Sequence, residues 1–195
     1  DFLSTRREML SQRMNDYLNR LAVNDEVIYG KATIEEIISE GESEELEFKS
    51  TLRWDINFGK VNKNLEKVIV KTVSAFANTD GGTLLIGVND EGSVLGLEND
   101  YASLNGDRDA FELHLRNLLN QQIGKPFTAM CVKVIFPDIY GEEICQIEVA
   151  RSERPIILTV KDRHGLDSQK MYIRSGNSSQ ELSMSEFVEY KKERF

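Results

Sequence analysis

Four side chains offer the most direct chemistry in this sequence: Glu42, Glu47, Lys49 and Asp90. Three carboxylates gathered at one point repel one another unless a cation or protons compensate. Hard oxygen ligands suit Mg2+ or Mn2+, and such ions assist phosphoryl chemistry by activating water and stabilising developing charge. Glu42, Glu47 and Asp90 are therefore the candidate metal ligands and catalytic carboxylates. Lys49 lies two residues from Glu47 on the same face of an alternating strand, where its ammonium can meet a scissile phosphate. The alternative stays open, because charged residues are mostly exposed and acids at strand ends are often plain surface charge.

Basic residues give a second group. Lys60, Lys63, Lys67 and Lys71 follow i, i+3, i+7 and i+11 along a predicted helix. Such a stripe is a solvated face or a track for phosphates. Arg174, at a predicted strand end, is either a phosphate ligand or the partner of an acid. Gly81-Gly82 is not a P-loop: it lacks GxxxxGK[ST] and joins helix to strand rather than strand to helix. Cys131, Cys145, His114 and His164 are isolated and lack zinc-ligand spacing, so the cysteines read as reduced thiols of a cytosolic protein.

Positioning these groups falls to a few elements. The central stretch is Ser74 to Gly92. It closes a helix from about Val61 to Ala77, whose apolar stripe is Leu65, Val68, Ile69, Val73 and Phe76. Gly81 and Gly82 then supply the positive φ that an abrupt helix-to-strand turn needs. Thr83 to Val88 is a strand apolar on both faces, as in a covered central strand, and Gly87 within it predicts a close backbone approach. Asp90 follows in a polar turn. Upstream, Leu46 and Phe48 point one way and Glu45, Glu47 and Lys49 the other, a half-buried strand. If the two strands are neighbours, the carboxylates converge.

The remaining pattern is mixed. Thr33 and Glu36 form a capping box before a short helix, Ile34 to Ser39. Thr51 to Gly59 reads as an irregular loop with Trp54, Ser93 to Leu97 as a short strand, and Asp100 to Asp107 as a loop. A helix is expected over Asp109–Gln122, and a hairpin of Thr128–Phe136 with Glu143–Ala150. Ile156–Val160 and Lys170–Arg174 are two more strands around a charged loop. Ser175 to Ser179 is a turn, and Ser185–Arg194 a last helix. At the start, Leu3, Leu10, Met14, Tyr17 and Leu21 keep heptad a/d spacing. Residues 1–23 are therefore expected to form a helix that packs on the domain, docks on another or self-associates. No cap precedes Phe2, so the helix is expected to begin earlier in a longer protein. Residues 24–32 read as a linker and 33–195 as one α+β domain with a mixed sheet and packed helices.

The 195 residues are 40% hydrophobic and 29% charged, with a net charge of -9. A chain of this length buries roughly 70% of its unfolded surface. No apolar run reaches the roughly 18 residues of a membrane span, and no signal peptide opens the chain. Net acidity argues against indiscriminate attraction to nucleic acid. The charge is uneven, however: residues 1–50 carry 12 acids and 6 bases, while residues 49–71 carry six bases against Asp55 and Glu66.

The segments GESEELEFK, VSAFANTDGGTLLIGVNDEGSVLGL and MYIRSGNSSQELS, in this order, resemble the divergent AlbA-like domain of the Schlafen family. The resemblance covers about Thr33 to Phe195. It implies an α+β domain with a role on nucleic acid, RNA of tRNA type rather than DNA. In the Schlafens that cut tRNA and rRNA, a Glu-x4-Glu pair ahead of Phe-Lys and an Asp after a Gly-Val strand form a metal-dependent nuclease site. Glu42, Glu47, Lys49 and Asp90 match it, which implies Mg2+ or Mn2+ as cofactor and a defence effector as the setting. Many bacterial members are instead described as DNA-binding or ATP-binding regions. A non-catalytic binding or oligomerisation module is the alternative.

Overall fold

The computed structural model describes residues 33–161 and 165–195. The chain divides into two compact units, 1–39 and 40–195. The heptad-patterned segment 2–22 and the linker lie outside the described residues. α1 (Ile34–Glu40) is capped as its sequence predicts: Glu36 N–H donates to Thr33 Oγ1, and Thr33 N–H to Glu36 Oε2.

The second unit is built on a four-stranded sheet. Its strands are β1 (Leu46–Lys49), β4 (Gly82–Ile86), β8 (Cys145–Val149) and β5 (Val132–Ile135), in the order β1-β4-β8-β5. β1 runs parallel to β4, and the other pairs are antiparallel. The two strands are neighbours, with Glu47 opposite Leu84 and Lys49 opposite Ile86. Both faces of β4 are covered, since Leu84, Leu85 and Ile86 are all fully buried.

α2 (Lys63–Asn78) crosses the sheet and buries Ile69, Val70, Val73, Phe76 and Ala77 against Leu84, Ile86, Ile147 and Val149. Asn62 caps it by accepting from Asn64 N–H. The turn into β4 then tolerates no side chain. A Cβ on Gly82 would stand 2.4 Å from the Phe76 ring and 2.8 Å from Glu45 O. Gly87, at φ 96, brings its backbone against Gly96, whose oxygen would lie 3.1 Å from an added Cβ. The close approach predicted from sequence is therefore that of the Val94–Leu97 segment, which forms one isolated bridge, Val88 to Val94, rather than a strand.

Several elements depart from expectation. The Thr51–Gly59 segment is not irregular: β2 (Trp54–Asp55) and β3 (Lys60–Val61) pair as a hairpin. Asp100 starts no loop but lies in α3 (Glu98–Ser103), where its buried carboxylate accepts the N–H groups of Leu52, Arg53 and Trp54 at 2.7, 2.9 and 3.0 Å. After α4 (Arg108–Leu119) the chain does not extend. A π-type turn, Asn120–Gly124, leads into α5 (Lys125–Cys131), so residues 128–131, expected as strand, are helical. Pro126 sits in the first turn of α5, where its missing N–H costs nothing. β5 therefore starts only at Val132. The hairpin partner β8 is as expected, with a smaller hairpin of β6 (Asp138–Ile139) and β7 (Glu142–Glu143) between them.

A second, antiparallel sheet covers α2 with β9 (Ile157–Lys161), β10 (Asp167–Ser175) and β11 (Ser178–Glu181), in the order β11-β10-β9. Asn78, at the end of α2 and fully buried, fastens it. Its Nδ2 donates to Ile156 O and Tyr172 O, and its Oδ1 accepts from Ile156 N–H. Every polar position of that amide is used, as a buried amide requires. α6 (Met184–Arg194) closes the chain behind a capping box of Ser183 and Glu186, and Tyr190 Oη donates to Asn78 O.

Candidate functional site

Parallel partners share a face of a sheet, so Glu47 and Lys49 point to the side on which Leu84 and Ile86 meet the helices. Glu47 is consequently buried rather than on a solvated face. A carboxylate there needs compensation. It comes from two cations: Lys49 Nζ lies 2.5 Å from Glu47 Oε1, and Arg174 Nη1 lies 2.7 Å from Glu47 Oε2.

Glu42 reaches the same place from the loop ahead of β1. Its Oε1 accepts the Phe48 N–H at 2.9 Å and lies 3.8 Å from Lys49 Nζ. The ammonium thus stands between two carboxylates, and it also donates to Phe48 O. The side chains of Lys49 and Glu42 are about a quarter exposed, so the group opens to solvent on one side.

Asp90 comes from the neighbouring strand end. Gly87 N–H donates to Lys49 O at 2.8 Å, which sets the segment after β4 beside the end of β1. The turn is held by Asn89, whose Oδ1 accepts from Glu91 and Ser93 N–H. Asp90 itself is exposed in that turn. Among the described residues, no three His, Cys, Asp or Glu side chains form a group placed to hold a metal ion. The structure therefore brings together Glu42, Glu47 and Lys49, and does not gather Asp90 with them into a three-carboxylate cluster.

Arg174 resolves to the second of its two sequence readings. Its side chain is 0% exposed. Besides Glu47 it donates to Ser43 O, Glu44 O and Ser179 Oγ, and its guanidinium lies 4.9 Å from the centre of the Phe76 ring. Its backbone N–H donates to Thr79 Oγ1. This is a clamp that ties β10 to β1 and to the end of α2, not a cation presented to a ligand.

The lysines do not form one stripe. Lys60 belongs to β3, exposed, with its ammonium 5.4 Å from the Phe58 ring. Lys63 and Lys67 are exposed on α2, and Lys67 donates to Asn64 Oδ1. Lys71 is half-buried over the Tyr172 ring, at 5.3 Å. His114, expected to be packed or at the surface, meets the buried Glu66 at 2.8 Å, and Arg53 Nε lies 3.2 Å from the same oxygen.

Sequence reasoning missed Asn78 and Asp100. Both are polar residues that buried backbone groups require, and both bond to residues far along the chain. No local pattern marks them. Of the two cysteines, Cys145 is buried at the start of β8 and Cys131 is half-buried at the end of α5; both are free thiols. Burial raises the Cys145 thiol well above its usual range, so it is not a reactive thiolate.

Two solved structures and one family model are similar to this chain. The crystal structure of the DIP2311 protein from Corynebacterium diphtheriae aligns with a TM-score of 0.52 and 22% identity, over 77% of this chain and 24% of that one. The likeness is one of fold, and the present chain spans about a quarter of that protein. The solution structure of the N-terminal domain of a protein from Nitrosomonas europaea, described as related to the ATP-dependent DNA helicase RecG, is 23% identical. It covers 71% of this chain and 83% of that one, with a TM-score of 0.41. The family model described as Schlafen, AlbA_2 matches residues 42–183, from the first candidate glutamate through the strand of Arg174 to the cap of α6. The chain belongs to the Schlafen, AlbA_2 family.

Proposed function

We propose that this domain acts on RNA as a metal-dependent endonuclease, with tRNA-like substrates, as the effector module of a larger cytosolic defence protein. Membership of the family links the domain to nucleic acid. The observation that carries the finer reading is the cation held between Glu42 and Glu47. That position is now taken by the Lys49 ammonium, which stands in for an ion. Two carboxylates are enough for the donor set, because Mg2+ is commonly held by one or two carboxylates together with waters and substrate phosphates.

In this reading Glu42 and Glu47 would hold Mg2+ or Mn2+; Asp90, exposed in the turn after β4 and not gathered with them, is the third carboxylate that the family resemblance implies. Held by these residues, a divalent ion would supply Lewis-acid activation of water and positive charge for the phosphate. Arg174 holds Glu47 Oε2, which keeps Oε1 turned toward the open side of the site. Lys49 supplies positive charge to the scissile phosphate. Lys60, Lys63, Lys67 and Lys71 supply positive charge along the backbone of the substrate.

A second reading has its own observation. Glu47 is fully compensated by Lys49 and Arg174, as in an ion network that only holds the fold. The domain would then bind nucleic acid, or mediate assembly, without cutting. One experiment separates the two: incubation of the chain with tRNA, with Mn2+ or with chelator, in the wild type and in Glu42→Gln. The cleavage reading expects cut RNA only with Mn2+ and a loss of about 100-fold or more in the variant. RNA left intact by the wild type with Mn2+ supports the binding module.

A further inference from the structure

Between α2 and the β9–β10 sheet lies a groove of about 750 Å³. Such a volume suits a small ligand of nucleotide size. Its wall on α2 is Lys67, Val68 and Lys71; facing them are Leu158, Val160 and Tyr172. The remaining ammoniums at its rim, Lys161 and Lys170, each have a carboxylate at 2.7 Å, from Asp167 and Glu181.

Lys67 and Lys71 differ. Lys67 has only the Asn64 amide oxygen, and Lys71 only the Tyr172 ring, among the described residues. Two uncompensated ammoniums one helical turn apart, in a chain of net charge -9, mark a place where an anion is accepted rather than merely tolerated. The floor has a different character: the rim carries four lysines and one carboxylate, Glu181, which pairs with Lys170, while Val68, Leu158, Val160 and the ring of Tyr172 are apolar or aromatic. An acidic peptide would use the rim and leave the floor idle. A nucleotide uses both, with phosphate on lysine and base against an aromatic ring.

We propose that this groove binds one nucleotide unit, its phosphate on Lys67 and Lys71 and its base against Tyr172 and the apolar floor. The unit is either a free nucleotide or one residue of a single strand; the chemistry is the same. Lys71 leaves the Tyr172 ring for the phosphate, which frees the ring face for the base. The site is separate from the Glu42–Glu47–Lys49 group and needs no divalent ion, so it stands whether or not the domain cleaves RNA.

The test is calorimetric titration of the chain in the presence of chelator, with ATP, with a single-stranded uridine oligonucleotide and with a poly-glutamate peptide. The variants are Lys67→Gln combined with Lys71→Gln, Tyr172→Leu, Tyr172→Phe, and Lys192→Gln, exposed on α6, as a control outside the groove. The proposal expects ATP or the oligonucleotide to bind, with affinity falling about tenfold in the double lysine variant and again in Tyr172→Leu. Tyr172→Phe and Lys192→Gln should bind like the wild type. Binding of ATP without the oligonucleotide assigns the site to a free nucleotide, and the reverse assigns it to a strand. If Tyr172→Leu does not fold, the double lysine variant and Tyr172→Phe carry the test. The proposal is overturned if neither probe binds, if the lysine changes leave binding unaltered, or if poly-glutamate binds as tightly as the nucleotide probes.

Discussion

The seam between α2 and β10 has two ends with opposite electrostatics. At one, Arg174 is buried on Phe76 and fully engaged by Glu47, Ser43, Glu44 and Ser179. At the other, Lys67 and Lys71 flank a groove without a carboxylate of their own among the described residues. Lys170, Tyr172 and Arg174 alternate along the same strand and so share one face of it. The cation at one end of this strand face is consumed by the fold, whereas across the seam Lys67 and Lys71 of α2 keep no carboxylate partner among the described residues. A basic residue on an element edge has no fixed meaning until its acid partner is known.

That contrast can be broken by mutation. The largest expected effect is that of Arg174→Met. It leaves the Glu47 carboxylate, with one cation fewer, in a buried position, along with the carbonyls of Ser43 and Glu44. Removing one partner of a buried pair costs about 3–5 kcal/mol, read as a lowered denaturant midpoint at unchanged slope. Asn78→Ala comes next. It orphans Ile156 N–H and two carbonyls at the joint between α2 and the second sheet, with an expected loss of about 1–3 kcal/mol. Changing Lys67 and Lys71 together to Gln, at the other end, should move stability by no more than about 0.5 kcal/mol, since surface charges rarely carry more. A loss there as large as that of Arg174→Met would erase the distinction between the two ends.

The smallest effect is expected away from the seam, at the α6 cap. Hydrogen bonds from the Ser183 side chain and backbone N–H hold the Glu186 carboxyl below the usual glutamate range. A lowered folded value contributes stability that is present above the unfolded glutamate pKa and is lost as pH falls through the folded one. Backbone amide shifts of residues 184–187 should therefore report fraying of α6 in acid. In Glu186→Gln the acid-dependent fraying should be absent.

The legible parts of this fold were those with local periodicity. The apolar run of β4, the apolar stripe of α2 and the Gly81-Gly82 turn between them each follow from a few adjacent residues. The alternation of Leu46, Phe48 and Lys49 marked β1 as a strand, but not β4 as its partner. The misread stretch was Thr128–Phe136, where Met130, Val132 and Val134 alternate as in a strand while residues 125–131 form a helix. Met130 is 83% exposed there, whereas Val132 is buried and Val134 packs against the core, so the alternation reports a buried face only from the start of β5. In the candidate site, the nearness of Glu42, Glu47 and Lys49 was legible because they are close in sequence. The burial of Glu47 was not, because its second cation comes from 127 residues away. Asn78 and Asp100 were invisible for the same reason, since what they satisfy is backbone from distant segments.

The account rests on the position between Glu42 and Glu47 being a cation site that a divalent ion can take from Lys49. Thermal melting of the wild type and of Lys49→Met, each with and without Mn2+, tests this directly. Without metal, Lys49→Met should melt lower, because two carboxylates lose the cation between them. Mn2+ at about ten times its Kd stabilises by roughly 1.4 kcal/mol, several degrees for a chain of this length. The predicted result is a rise in Tm for the wild type and a larger rise for Lys49→Met, where no ammonium competes. A Tm unmoved by Mn2+ in both proteins would contradict it, and Lys49 would then be the only cation the site is built to hold.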